Sequence, residues 1–112
     1  MKIEFNTDKT INGDERQQEY FTTQIIKDLH KYESHITKIE VHLSDQNGNK
    51  EGWDDILCVL DAKIDGIEPV VVRKQANTIA LAVSGAVDKL KASLETVLGR
   101  LQNHHQKNDD EQ

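Results

Sequence analysis

The sequence predicts an α+β fold with the element order β-α-β-β-β-α, in which two helices pack on one face of a four-stranded mixed sheet. Three observations lead to this prediction. Short stretches alternate apolar and polar residues as strands do, and two longer stretches repeat apolar residues with helical spacing. Asp65-Gly66 separates two apolar stretches, which is a hairpin signal. The 112 residues suffice for one domain, predicted over residues 1–103.

The first half of the chain supplies two strands and a helix. Ile3 and Phe5 alternate with charged neighbours and predict a short first strand. Asp14 and Gln17 have the spacing of a capping box, and the apolar residues that follow predict a helix at about residues 14–33. A second alternating stretch predicts a strand at about 36–44. A right-handed crossover through the helix would make these two strands parallel.

The second half completes the sheet and adds the longer helix. Strands are predicted at about 55–64 and 67–74, and Pro69 assigns the last one to a sheet edge. Asn77 or Thr78 can cap a helix of about 25 residues. The polar tail, residues 104–112, is predicted to be disordered. The side chains expected in the core are Phe21, Ile25, Leu29, Val41, Cys58, Leu60, Val83, Val87, Leu90 and Leu94.

Composition limits the possible functions. The net charge of −6 repels nucleic acid overall. The single cysteine, Cys58, lies in an apolar run, so it is expected to be a core residue in a reducing cytoplasm. The N-terminus is too polar for a signal peptide, and no apolar stretch approaches the roughly 20 residues needed to span a membrane. We therefore expect a cytoplasmic protein.

Three segments carry a resemblance to a known family. Leu29-His30-Lys31-Tyr32 leads into Ile36-Thr37-Lys38-Ile39-Glu40-Val41, and Ala82-Val83-Ser84 precedes Val87-Asp88-Lys89-Leu90. The third segment is the long apolar stripe that follows in the same predicted helix. Together they resemble the ribosome hibernation promoting factor and ribosome-associated inhibitor family, also called sigma-54 modulation or ribosomal subunit interface proteins, over about residues 1–105.

The resemblance implies a protein without catalytic activity or cofactor. It implies binding to ribosomal RNA of the small subunit near the decoding centre, which silences idle ribosomes. Longer family members carry a second, dimerising domain, so this chain looks like the short form. The chain departs from the family in having Lys91-Ala92-Ser93 where an Arg-Gln pair is usual.

Basic residues gather on one outward stripe of each helix. On a wheel of about 100° per residue, Arg16, Lys27 and Lys31 fall within roughly 60° of one another, and no acid shares their stripe. Charged residues opposite an apolar stripe occur on any surface helix, so these stripes alone do not indicate RNA binding. The family resemblance is the reason to interpret them as an RNA-binding surface. The predicted RNA-binding residues, which would contact phosphates, are Arg16, Tyr20, Lys27, Lys31, Arg73, Lys74, Lys89 and Arg100.

No catalytic or metal site is predicted. The five histidines, including the adjacent His104 and His105, lack ligand spacing. The acidic loop formed by Asp45, Glu51, Asp54 and Asp55 lacks the spacing of a calcium loop and a paired nucleophile. Trp53 either anchors that loop or is a contact residue.

The alternative function is binding of a protein partner by a diverged domain of the same fold. The contact would be the acidic loop or the uncovered sheet face. That face is expected to carry Lys38, Glu40, His42, Val59, Asp61 and Lys63.

Overall fold

A computed structural model of the protein describes residues 1–7, 15–45 and 56–110, without the side chains of Glu15 and of residues 100–110. Its elements are β1 (Lys2–Thr7), α1 (Glu15–Asp28), a 3-10 turn (His30–Tyr32), β2 (Ile36–Asp45), β3 (Ile56–Ile64), β4 (Val70–Ala76) and α2 (Ile79–Asp110). This order confirms the predicted β-α-β-β-β-α fold. No helix in these ranges is long and apolar enough to cross a membrane.

The four strands form one sheet in the order β1-β2-β3-β4. β1 runs parallel to β2, with Ile3 opposite Ile39 and Phe5 opposite Val41. β2, β3 and β4 form an antiparallel meander. The parallel first pair agrees with a right-handed crossover through α1, and β4 lies at the edge to which Pro69 assigned it.

The connection between β3 and β4 is longer than the predicted two-residue hairpin. Gly66 has φ +82°, which favours glycine, and the Ile67 amide donates to the Ile64 carbonyl at 3.4 Å. β4 nevertheless begins only at Val70, so Pro69 lies just before the strand. Proline has no amide hydrogen to pair with β3, which explains the delayed start.

Both helices cover the same sheet face. Ile39, Val41 and Leu43 of β2 are buried, and the register places Leu60 of β3 opposite Val41. These side chains share one core with the apolar stripes of both helices. All ten predicted core residues are buried, which confirms that the helical and strand periods identified the inward positions.

The end of α1 differs from the prediction, whereas the predicted cap of α2 is confirmed. α1 stops at Asp28, and the chain tightens into the 3-10 turn, where the Tyr32 amide donates to the Leu29 carbonyl at 2.9 Å. Asp14, the predicted capping residue, lies outside the described residues. Thr78 caps α2, since its Oγ1 accepts the Leu81 amide at 3.1 Å.

The last helix extends beyond its predicted length. The backbone of α2 is helical to Asp110, so α2 includes most of the segment predicted to be disordered. The structure thus gives residues 104–110 a helical backbone without describing their side chains, and disorder of this tail in solution stays a prediction.

Candidate nucleic-acid interface

Three of the predicted site residues lie together on α1. Phe21 and Ile25 turn toward the sheet, so residues about half a helical turn away from them point outward. Arg16, Tyr20 and Lys27 are exposed and line one groove along the helix. The same groove is also lined by Glu19, Thr23, Gln24 and Asp28. The basic stripe is therefore free of acids along its centre but bordered by a carboxylate on each side.

Tyr20 provides an aromatic surface within this groove. It is 64% exposed, which is unusual for a large ring. Its ring stands edge-on to that of the buried Phe21, with centroids 5.1 Å apart and planes at 74°. Packing on a buried neighbour limits the freedom of Tyr20, so an exposed ring is fixed in the groove that Arg16 and Lys27 also line. Such a ring can stack on an unpaired base.

Lys31 is not part of the acid-free surface that the helical wheel predicted. It lies in the 3-10 turn, and its Nζ is 2.7 Å from Glu95 Oε1 of α2. The hydroxyl of Tyr32 donates to the same carboxylate oxygen. A wheel treats each helix alone, so it could not show that α2 brings an acid to the end of α1.

Lys31 and Glu95 each stabilise the charged form of the other. The hydrogen bond from Lys31 lowers the pKa of Glu95, with a smaller contribution from the Tyr32 hydroxyl. The hydrogen bond to Glu95 raises the pKa of Lys31. Burial, followed by the bond to Glu95, raises the pKa of Tyr32. Glu95 and Lys31 are therefore both charged at neutral pH.

Sequence reasoning missed the roles of Tyr32 and Glu95. Neither residue is among the site residues that the sequence predicted. A signal existed in Tyr32, because a buried tyrosine hydroxyl usually finds a hydrogen-bond partner.

The second group of predicted residues lies at the β4 edge. Lys89 is exposed and its Nζ donates to the carbonyl of Arg73 at 2.9 Å. Arg73 and Lys74 do not point the same way, because successive strand residues alternate between faces. Lys74 is on the helix side, whereas Arg73 pairs with Val59 on the open face. Only Lys74 can therefore extend a surface formed by α2.

The two groups are separate. On α2, Glu95 faces the 3-10 turn while Lys89 faces β4, and six residues at about 100° each place these two directions about 120° apart. We call Arg16, Tyr20 and Lys27 the α1 group, and Lys74 and Lys89 the β4-edge group. The side chain of Arg100 lies outside the described residues, so its contribution stays a prediction.

The open sheet face has a different electrostatic character. Lys38 Nζ lies 3.2 Å from carboxylate oxygens of both Glu4 and Glu40. Lys2 also pairs with Glu4, at 3.3 Å, and Lys63 pairs with Asp61 at 3.4 Å. The positive charges of Lys2, Lys38 and Lys63 are thus balanced by neighbouring carboxylates. This face therefore offers phosphates little net attraction compared with the helix side.

The described residues do not assemble a metal or nucleophile site. Within the described ranges, no three His, Cys, Asp or Glu side chains lie close enough to share a metal ion. Burial raises the pKa of the Cys58 thiol to about 12, so it stays protonated at neutral pH. Of the predicted acidic loop, Glu51, Asp54 and Asp55 lie outside the described residues, as do Trp53 and the side chains of His104 and His105.

Comparison with known proteins identifies the family. The family model described as "Sigma 54 modulation protein / S30EA ribosomal protein" matches residues 6–102. The fold is similar to the Protein Y N-terminal domain of Thermus thermophilus, with a TM-score of 0.68 and 15% identity over 87% of this chain and 99% of the other. It is also similar to a ribosomal subunit interface protein from Coxiella burnetii, with a TM-score of 0.69 and 15% identity over 88% and 99%. No curated protein matches the sequence. Because the family model spans most of the chain, the protein belongs to the sigma 54 modulation protein / S30EA ribosomal protein family.

Proposed function

We propose that this protein binds the small ribosomal subunit near the decoding centre and keeps idle ribosomes silent. The observation that carries the proposal is the family match over residues 6–102. The family consists of ribosome-associated regulators that are not enzymes. One protein of similar fold is itself described as a ribosomal subunit interface protein. The proposal implies a cytoplasmic protein.

The distribution of charge favours the helix side as the RNA-binding surface. The α1 group and the β4-edge group are exposed or partly exposed there. Lysine and arginine at such positions contact phosphates and so fix the orientation of a domain without reading sequence. Tyr20 adds a ring on which an unpaired base can stack. The open sheet face has its lysines paired with carboxylates, so it is the weaker candidate.

The net charge of −6 opposes this binding. Only local contacts can overcome it, and their strength depends on ionic strength because phosphate contacts release bound counterions. Each contact contributes roughly 0.7–0.9 to the slope of log affinity against log salt. Binding that survives at physiological salt would therefore require several simultaneous contacts.

Co-sedimentation with purified 30S subunits and 70S ribosomes tests the proposal. The protein should migrate with the particles at low salt and leave them progressively as salt increases. A translation assay with the same ribosomes should show inhibition over the same salt range. If the protein stays at the top of the gradient at low and at physiological salt, ribosome binding is wrong, and the protein-partner alternative replaces it.

A further inference from the structure

Glu95, in the middle of α2, binds the 3-10 turn that follows α1. Its Oε1 lies 2.7 Å from Lys31 Nζ and also accepts the Tyr32 hydroxyl. The Lys31 ammonium lies 5.6 Å from the centre of the Tyr32 ring, so the ring supports the same arrangement. One carboxylate therefore holds a lysine that the sequence had assigned to the RNA-binding surface.

The two partners of Glu95 differ in exposure. The Tyr32 side chain is only 5% exposed, and its hydroxyl needs an acceptor. The Lys31 and Glu95 side chains are 72% and 57% exposed, and ion pairs with such exposure are weak. Lys31 can therefore leave the pair at little cost. Glu95 stays, because Tyr32 continues to hold it.

A phosphate approaching Lys31 meets this fixed carboxylate. It must replace Glu95 as the partner of Lys31, and it is repelled by Glu95 until Lys31 has swung away. Lys27, one turn earlier on α1, forms no ion pair with any residue that the structure describes. Arg16, Lys27 and Lys31 are thus unequal, although the wheel treats them alike.

We propose that Glu95 sets the specificity of the RNA-binding surface by occupying Lys31 until a correctly placed phosphate displaces it. This inference rests on the proposed function and names a specificity-determining residue of the same surface. Weak or misplaced polyanions gain only the α1 group and the β4-edge group. A partner that positions a phosphate at the 3-10 turn gains Lys31 in addition.

A double-mutant cycle on Lys31 and Glu95 tests the inference by affinity for purified 30S subunits. Glu95→Gln keeps an oxygen acceptor for the Tyr32 hydroxyl but removes the charge. It should raise affinity at low salt by roughly threefold to tenfold and steepen the salt slope by up to about 0.7–0.9, the value of one phosphate contact. Lys31→Gln should lower affinity less in the wild type, where a phosphate contact of Lys31 costs its pair with Glu95, than in the Glu95→Gln background, and it should remove the gain from Glu95→Gln.

Glu68→Gln is the matched control, since Glu68 is exposed in the β3–β4 connection and the substitution changes net charge equally. If wild type binds and Glu95→Gln gains no more than Glu68→Gln, the inference is wrong while the proposed function stands. Equal losses from Lys31→Gln in both backgrounds would also overturn it, because Lys31 would already be free.

If wild type does not bind 30S subunits, the proposed function fails, and elution of the same variants from immobilised heparin decides the inference separately. If Glu95→Gln elutes later than wild type, and does so only when Lys31 is present, Glu95 and an anion compete for Lys31. Unchanged elution would overturn the inference.

Discussion

The aliphatic stem of Lys74 lies directly against the backbone of α2 at Gly85. A Cβ added at Gly85 would come within 2.7 Å of Lys74 Cγ and 3.0 Å of its Cδ. Glycine inside a helix costs about 1 kcal/mol relative to alanine. This cost is offset here because the missing Cβ of Gly85 leaves room for the Lys74 side chain to pack against α2.

Gly85→Ala should therefore fail to stabilise the protein in the wild-type background, since the gain in helix propensity is lost in displacing Lys74. In the Lys74→Ala background, the same substitution should raise the free energy of unfolding by up to about 1 kcal/mol. Urea denaturation measures both. Gly99→Ala is the control, because nothing lies within 4 Å of its added Cβ. Equal stabilisation by Gly85→Ala and Gly99→Ala in the wild type would contradict the role of Lys74.

Leu90 is completely buried in the middle of α2. Leu90→Ala should lower the free energy of unfolding by about 2–5 kcal/mol, because it removes apolar contacts and leaves a cavity. Leu81→Ala is the matched substitution on the same helix, where the side chain is 56% exposed, and it should change stability by about 0.5 kcal/mol or less. Chemical denaturation measures the loss in free energy of unfolding for both variants. Equal losses would mean that the buried face of α2 has been assigned wrongly.

The Cys58 thiol should be unreactive in the folded protein. Burial raises its pKa to about 12, well above the value of about 8.5 expected in an unfolded chain. The unfolded state therefore loses this proton first as pH rises. The contribution of the neutral thiol to stability is complete below pH 8.5 and is lost between about pH 8.5 and 12.

Ellman's reagent at pH 8 measures this directly. Labelling of Cys58 should be slow in the folded protein and rapid in denaturant, and Cys58→Ala should show a weaker loss of stability at alkaline pH than wild type. Rapid labelling of the native protein would mean that the thiol is accessible.

The fold could be predicted because periodicity reports burial directly. Leu90 and Leu94 belong to a stripe whose spacing fixes the inward face of α2, and alternation in β2 does the same for Ile39 and Val41. The site was predicted less well because it depends on which elements meet. Nothing in the sequence near Lys31 indicates Glu95, which is 64 residues away. The opposite directions of Arg73 and Lys74, by contrast, followed from strand alternation and could have been recognised.

The proposed RNA-binding surface is tested by reversing one charge in each of its two groups. Lys27 lies in the α1 groove and Lys89 at the β4 edge, and both side chains are exposed, so Lys27→Glu with Lys89→Glu should leave the fold intact. Each substitution removes a phosphate contact and adds repulsion. Binding to 30S subunits should fall by more than about tenfold at low salt, and the salt slope should flatten by about 1.4–1.8, the value of two contacts.

The control is Lys2→Glu with Lys63→Glu on the open sheet face, which changes the net charge by the same amount. Thermal unfolding should show both double variants folded. If the control pair weakens binding as much as Lys27→Glu with Lys89→Glu, total charge decides affinity and no local surface exists. If neither pair weakens the binding of a wild type that does associate with 30S subunits, the contact surface lies elsewhere on the domain. A loss confined to the helix-side pair is expected, because Lys27 and Lys89 lie outside the lysine–carboxylate network to which Lys2 and Lys63 belong.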